Sequence, residues 1–192
     1  SRGGAPKSYR YRDPNEDAAL FAEGAGGILL AVADGHGGCD AAEAAIDRLL
    51  AEFAPAWTAA AAPGLRESWT SRAPNVLAAL NAAILERVAR GGPDTARTTL
   101  SLALLRPGDD LLVFASFGDS HVFQLTAGEV LELGHEDGRR TYYLGFASET
   151  AESLEGKYVA GAQSLAGTRA IVLATDGLSE RGIGVAVPED AV

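Results

Sequence analysis

Apolar positions in this chain follow two periods. Residues 18–23 and 28–33 are strand-like runs joined by Gly24-Ala-Gly-Gly27, which predicts a β-hairpin. From Asp40 the period lengthens. Ala42, Ala45, Ile46, Leu49, Leu50 and Phe53 recur at helical spacing, with Glu43, Asp47, Arg48 and Glu52 opposite, so an amphipathic helix capped by Asp40 is expected. A second helix is expected over residues 74–90, opening at Pro74, burying Val76, Leu77, Leu80, Ile84 and Val88, and stopped by Gly91-Gly92-Pro93. The Ala-rich stretch 57–71, with Pro63-Gly64 inside it, reads as a connection. After Thr95 the short period returns: 98–105, 111–117, 122–125 and 130–133 have the spacing of an antiparallel meander, and 157–160 and 170–175 add two more strands. Runs such as 28–33 and 171–174 are apolar throughout and are expected to be covered on both faces. An α+β architecture fits, with a helix pair on one sheet and a second sheet behind it. Residues 1–8 are expected to be frayed and 9–192 to form one domain.

Chemistry enters where the strands stop. The run 28–33 ends at Asp34-Gly-His-Gly-Gly38, the run 169–175 ends at Asp176-Gly177, and the run 111–117 ends at Gly118-Asp119-Ser120. Carboxylates gathered at one end of a sheet repel one another unless a cation sits among them. Composition narrows the partners. Of 192 residues, 47% are hydrophobic, enough for a core, and 16 basic against 26 acidic residues leave a net charge of −10, which argues against nucleic acid and anionic membrane surfaces. No 18-residue apolar run suggests a membrane span. Cys39 is the only cysteine, so no intrachain disulfide can form and a reducing cytoplasm is the natural location.

Near the N-terminus, Arg12-Asp-Pro-Asn-Glu16-Asp17 places a guanidinium, suited to gripping phosphate, just before two adjacent acids, suited to hard cations. R-x-x-N-E-D, V-A-D-G-H-G-G, T-T-L before a strand, F-G-D-S and L-A-T-D-G-L, in that order, resemble the metal-dependent protein Ser/Thr phosphatases of the PPM, or type 2C, family, bacterial-type, over residues 12–180. The resemblance implies a four-layer α/β/β/α sandwich of two mainly antiparallel sheets flanked by helices, with two Mg²⁺ or Mn²⁺ ions at one end of the sheets. Asp34 would bridge the ions, Asp17 and Glu16 would bind or support them, the Gly35 carbonyl would be a ligand, and Asp176 would hold the second ion. Asp119 matches the position linked to a third metal. Arg12 would hold the phosphate, His36 would protonate the leaving Ser or Thr oxygen, and a metal-bridging hydroxide would attack phosphorus in phosphoserine or phosphothreonine of a protein substrate. A cognate Ser/Thr kinase would be the opposing enzyme.

Each residue also has a plainer reading. His36 can be a turn residue, Arg12 can pair with Glu16 or Asp17, and Asp176 can cap its own turn. Asp109-Asp110 and Asp137-Gly138 match no family motif and read as structural, and His121 and His135 as surface residues. The family's further Asp before a last strand is missing: Asp190 lies 14 positions beyond Asp176 and opens a helix-like turn instead. Either the sequence is a piece of a longer protein, lacking its C-terminal helix and strand, which is the expectation, or a ligand has been lost. The second case leaves an alternative function, a pseudophosphatase acting as a regulatory or partner-binding module. The family more often continues Gly-Asp-Ser with Arg than with His121, and Arg139-Arg140 lie in a short substrate-flap region.

Overall fold

The computed structural model describes residues 15–134, 141–179 and 184–192. The N-terminal segment with Arg12, and His135, Asp137-Gly138 and Arg139-Arg140, lie outside them. Ten strands are present among the described residues: β1 (Ala18–Gly24), β2 (Gly27–Ala33), β3 (Gly35–His36), β4 (Arg97–Thr98), β5 (Leu100–Arg106), β6 (Leu111–Phe117), β7 (His121–Leu125), β8 (Val130–Glu132), β9 (Val159–Gln163) and β10 (Ala170–Ala174). The main sheet runs β1-β2-β5-β6-β9, a three-stranded sheet runs β10-β7-β8, and β3-β4 is a short ladder, all of it antiparallel. The hairpin closes at Gly24 opposite Gly27, as its turn chemistry predicts.

The helical layer comprises α1 (Asp40–Arg48), continued through a π turn (Leu49–Phe53) and α2 (Ala54–Trp57), together with α3 (Leu65–Ala89). The cap of α1 is Cys39 rather than Asp40, with no side-chain capping bond. Asp40 instead lies in the first turn, where a carboxylate suits the helix dipole, 3.6 Å from Arg87 of α3. The second helix starts nine residues before its expected Pro74 and takes in part of the stretch expected to be a connection. Pro74 deprives the Thr70 carbonyl of its helical donor, and the Tyr158 hydroxyl donates to that carbonyl from outside at 3.5 Å. Packing supplies the rest. Trp69 is fully buried, its indole N–H donates to the Phe114 carbonyl at 2.6 Å, and it meets Trp57 edge-on at 5.4 Å. A side chain of that size contributes on the order of 3–5 kcal/mol.

Alternation divides the core. Leu29, Ala31, Ala33, Leu102, Leu104, Val113 and Ala115 face α1 and α3, whereas Ala103, Leu112, Phe114, Val122 and Leu133 lie between the two sheets. The result is a mixed α+β fold in which antiparallel sheets are flanked by helices on the main sheet. Coverage on both faces belongs to β5 and β6 at its centre. In β2 the second face, Ile28, Leu30 and Val32, is only half buried, and β10 is half buried as an edge strand, because the smaller sheet has three strands among the described residues. The expected meander is likewise split: β6 and β7 belong to different sheets, and the Gly118-Asp119-Ser120 corner carries the chain across.

Candidate active site

One end of the main sheet collects the acids, and register is the reason. Ala18 pairs with Ala33, so the next residues outward, Asp17 and Asp34, fall side by side, with Glu16 beside Gly35. A Cβ on Gly35 would lie 2.1 Å from the Glu16 carbonyl oxygen, so only glycine allows this crossing. Asp34 and Glu16 are buried, at 2% and 4% exposure. The Asp34 backbone is held by the Thr-Thr pair: its N–H donates to Thr99 Oγ1 (3.2 Å), and its carbonyl accepts from the Thr99 N–H (3.0 Å) and the Thr98 hydroxyl (2.9 Å).

Thr99 carries the row onward. Its hydroxyl lies 2.9 Å from Ser120 Oγ, and its methyl would be 2.6 Å from a Cβ on Gly118, whose φ of 111° already excludes most side chains. Asp119 is thereby placed next to the Thr99 strand, which lies between it and the Asp34 strand. Its Oδ2 accepts from the Thr141 hydroxyl (3.0 Å), while its buried Oδ1 has no hydrogen-bond donor among the described residues. Asp176 approaches from the smaller sheet: Ala174 of β10 pairs with His121 of β7, so Asp176 leaves at the edge where Asp119 and Ser120 enter.

His36 is half buried on β3, opposite Arg97, and its ring meets Tyr143 edge-on at 4.7 Å. The segment around Tyr143 spans the site. Thr141 binds Asp119, Leu144 bridges to Thr98, and the Arg97 guanidinium covers the Phe146 ring at 4.2 Å. Asn81 of α3 fixes this segment, donating to the Phe146 and Glu149 carbonyls (both 2.9 Å) and accepting from the Gly145 N–H (2.6 Å). Thr99 was visible in the T-T-L motif, but Asn81, Thr141 and Tyr143 carry no sequence signal, because their roles come from contacts distant in sequence.

His121 departs from its expectation as a surface residue. It is 3% exposed, with Nδ1 2.5 Å from Glu132 and Nε2 2.7 Å from Ser179 Oγ. Asp109 and Asp110 are structural, as expected. Asp109 pairs with buried Arg106 (2.5 Å), and Asp110 accepts from the Ser164 hydroxyl (2.7 Å) and the Leu165 N–H (2.9 Å). Cavities of about 380 and 450 Å³ open at that opposite end of the sheet, lined by Arg106 and Asp109, whose polar groups already have partners.

No three His, Cys, Asp or Glu side chains among the described residues converge closely enough to enclose an ion. The donors nevertheless suit a hard divalent cation: they are carboxylate and carbonyl oxygens, and Asp119 Oδ1 is a buried acceptor with no donor among the described residues. The sequence matches the protein phosphatase 2C family over residues 6–189. The chain belongs to this family. Its activity class is therefore that of a protein Ser/Thr phosphatase, and the family is in general metal-dependent. No curated protein matches the sequence. Solved structures agree in fold. The structure of a bacterial serine phosphatase aligns with a TM-score of 0.66 at 18% identity over 90% of this chain and 76% of that one. A serine/threonine phosphatase from Staphylococcus aureus gives 0.61 at 18% over 90% and 74%, and one from S. agalactiae 0.64 at 18% over 95% and 80%. Among the described residues no helix is long and apolar enough to cross a membrane.

Proposed function

We propose that this member of the protein phosphatase 2C family hydrolyses phosphoserine and phosphothreonine in proteins, with Mg²⁺ or Mn²⁺ held at the acidic end of the main sheet. The observation that carries the reading is the row Asp17, Asp34, Thr99, Gly118 across four strands, with the Asp119 carboxylate beside it. Asp34, Asp17, Glu16, the Gly35 carbonyl and Asp176 would hold two ions, and Asp119 a third. Bound there, a divalent ion would draw charge from the phosphoryl oxygens and lower the pKa of a coordinated water, so that hydroxide is available near neutral pH.

The chain's own groups would do the rest. Arg12, with five fixed donors, would take two phosphoryl oxygens at once and set the phosphorus in line. His36, half buried and braced by the Tyr143 ring, would deliver a proton to the departing Ser or Thr oxygen. The segment carrying Thr141, Tyr143 and Phe146 touches both the acid site and His36, so it is the wall that a protein substrate would meet. A Ser/Thr kinase would supply the substrate.

The alternative, a pseudophosphatase that binds a partner without turnover, draws on a different observation: no three potential ligands among the described residues enclose an ion. Hydrolysis of p-nitrophenyl phosphate during Mn²⁺ titration separates the two. An enzyme gives saturable, metal-dependent release that disappears in Asp34→Asn and Asp176→Asn; a folded chain with no release at any Mn²⁺ concentration sinks the phosphatase reading.

A further inference from the structure

His121 is a buried histidine that the proposed reaction does not use, yet its two ring nitrogens tie together β8 and the turn after β10. Glu132, as a carboxylate, can only accept, so Nδ1 carries the hydrogen toward it at 2.5 Å. In the neutral ring Nε2 is then the acceptor for the Ser179 hydroxyl at 2.7 Å. Phe123 stacks on the ring at 5.4 Å and 12°, which leaves it little room to turn. Ser179 closes the three-residue 3₁₀ turn that begins at Asp176, and its own N–H donates to the Asp176 carbonyl at 2.8 Å. A single 3₁₀ turn at the end of an edge strand has poor hydrogen-bond geometry and holds its first residue weakly. An outside anchor on its last residue corrects that.

We infer that His121 is a positioning residue: held by Glu132 and Phe123, it grips Ser179 and so fixes the turn that presents Asp176. The inference rests on the reading that Asp176 holds an ion. Carboxylate, imidazole and hydroxyl in this order also activate serine nucleophiles where backbone donors face the hydroxyl. Here the Ser179 N–H is committed to the Asp176 carbonyl, and the Ser179 hydroxyl also lies 3.4 Å from that carbonyl, so the hydroxyl is assigned a holding role.

The test is Mn²⁺ binding to the full chain, followed by the electron paramagnetic resonance signal of unbound Mn²⁺, with metal-free thermal unfolding measured beside it. Ser179→Ala is expected to weaken one ion by about 10–100-fold, the usual effect of losing a group that orients a ligand, while the metal-free melting temperature falls only by the few degrees that one lost hydrogen bond costs. Ser179→Thr, which keeps the hydroxyl, should restore binding, and His121→Leu should weaken the same ion as Ser179→Ala. Asp176→Asn is the reference. If Asp176→Asn weakens an ion and Ser179→Ala does not, the positioning role is wrong while the metal reading stands. If Asp176→Asn changes nothing, the reading of Asp176 fails and the inference with it.

Discussion

The two ends of the main sheet look alike in sequence and differ in chemistry. Both end in tight turns with aspartates, Asp34 and Asp119 at one end and Asp109 and Asp110 at the other. At the second end the carboxylates are satisfied by the protein. Arg106, 1% exposed, donates to Asp109 and to the carbonyls of Trp57, Ala59 and Ala60, while Ser164 and Leu165 serve Asp110. At the first end the backbone is just as firmly held, through Thr98 and Thr99, but Asp119 Oδ1 is buried without a donor among the described residues. A fold can use an aspartate in a glycine-containing turn to lock a corner or to hold a carboxylate ready for a cation. What distinguishes the two is the partner of the carboxylate, not the turn. The cavities lie at the locked end, so shape alone points away from the proposed site.

Asp34→Asn separates the two ends most sharply, because it keeps the side-chain shape and removes its charge. Metal-dependent phosphate release should fall about a thousandfold, the several kcal/mol of charge stabilisation that a catalytic cation supplies. The circular dichroism of the folded chain should not change. Arg106→Ala should do the opposite. Losing charge-assisted bonds to three carbonyls and to Asp109 should lower the urea unfolding free energy by about 3 kcal/mol, with the rate per folded molecule unchanged. If that rate drops as far as in Asp34→Asn, the division between the ends is wrong.

Thr99→Val sits between these extremes, since the hydroxyl both supports the fold and orients the site. It should reduce stability by about 1–2 kcal/mol and raise the Mn²⁺ needed for half-maximal activity roughly tenfold. The smallest effect belongs to Asp110. The Ser164 hydroxyl, followed by the Leu165 and Ala166 N–H groups, holds its carboxyl below the ordinary value despite some desolvation. A depressed folded-state pKa gives stability that is present above the unfolded value of about 3.9 and lost as pH falls through the folded one. Asp110→Asn should therefore remove a small stabilisation above about pH 4 and flatten the loss below it, so that thermal unfolding across pH shows the two chains converging at low pH.

Much of this was legible in the sequence because local signals and tertiary needs agree. The β1-β2 hairpin, the apolar strands and the Asp-Gly stops all follow from neighbours in the chain. What escaped depends on distant partners. Leu65 to Ala73 is helical because Trp69 is buried between layers and because Tyr158 serves the carbonyl that Pro74 leaves open. The split of β6 from β7 is invisible to spacing, since a corner between sheets has the length of a hairpin turn. His121 reads as a surface residue until Glu132, 11 positions on, and Ser179, 58 positions on, close around it. Asn81 places the Tyr143 segment from 65 residues away.

The most direct test of the central claim, that the acidic end of the main sheet makes this chain a metal-dependent phosphatase, is phosphate release from a phosphothreonyl peptide as Mn²⁺ is titrated from zero. Release should be absent without the ion, saturable with it, and fully reversed by a chelator. Equal release with and without Mn²⁺, or none from a chain shown to be folded, would contradict that claim.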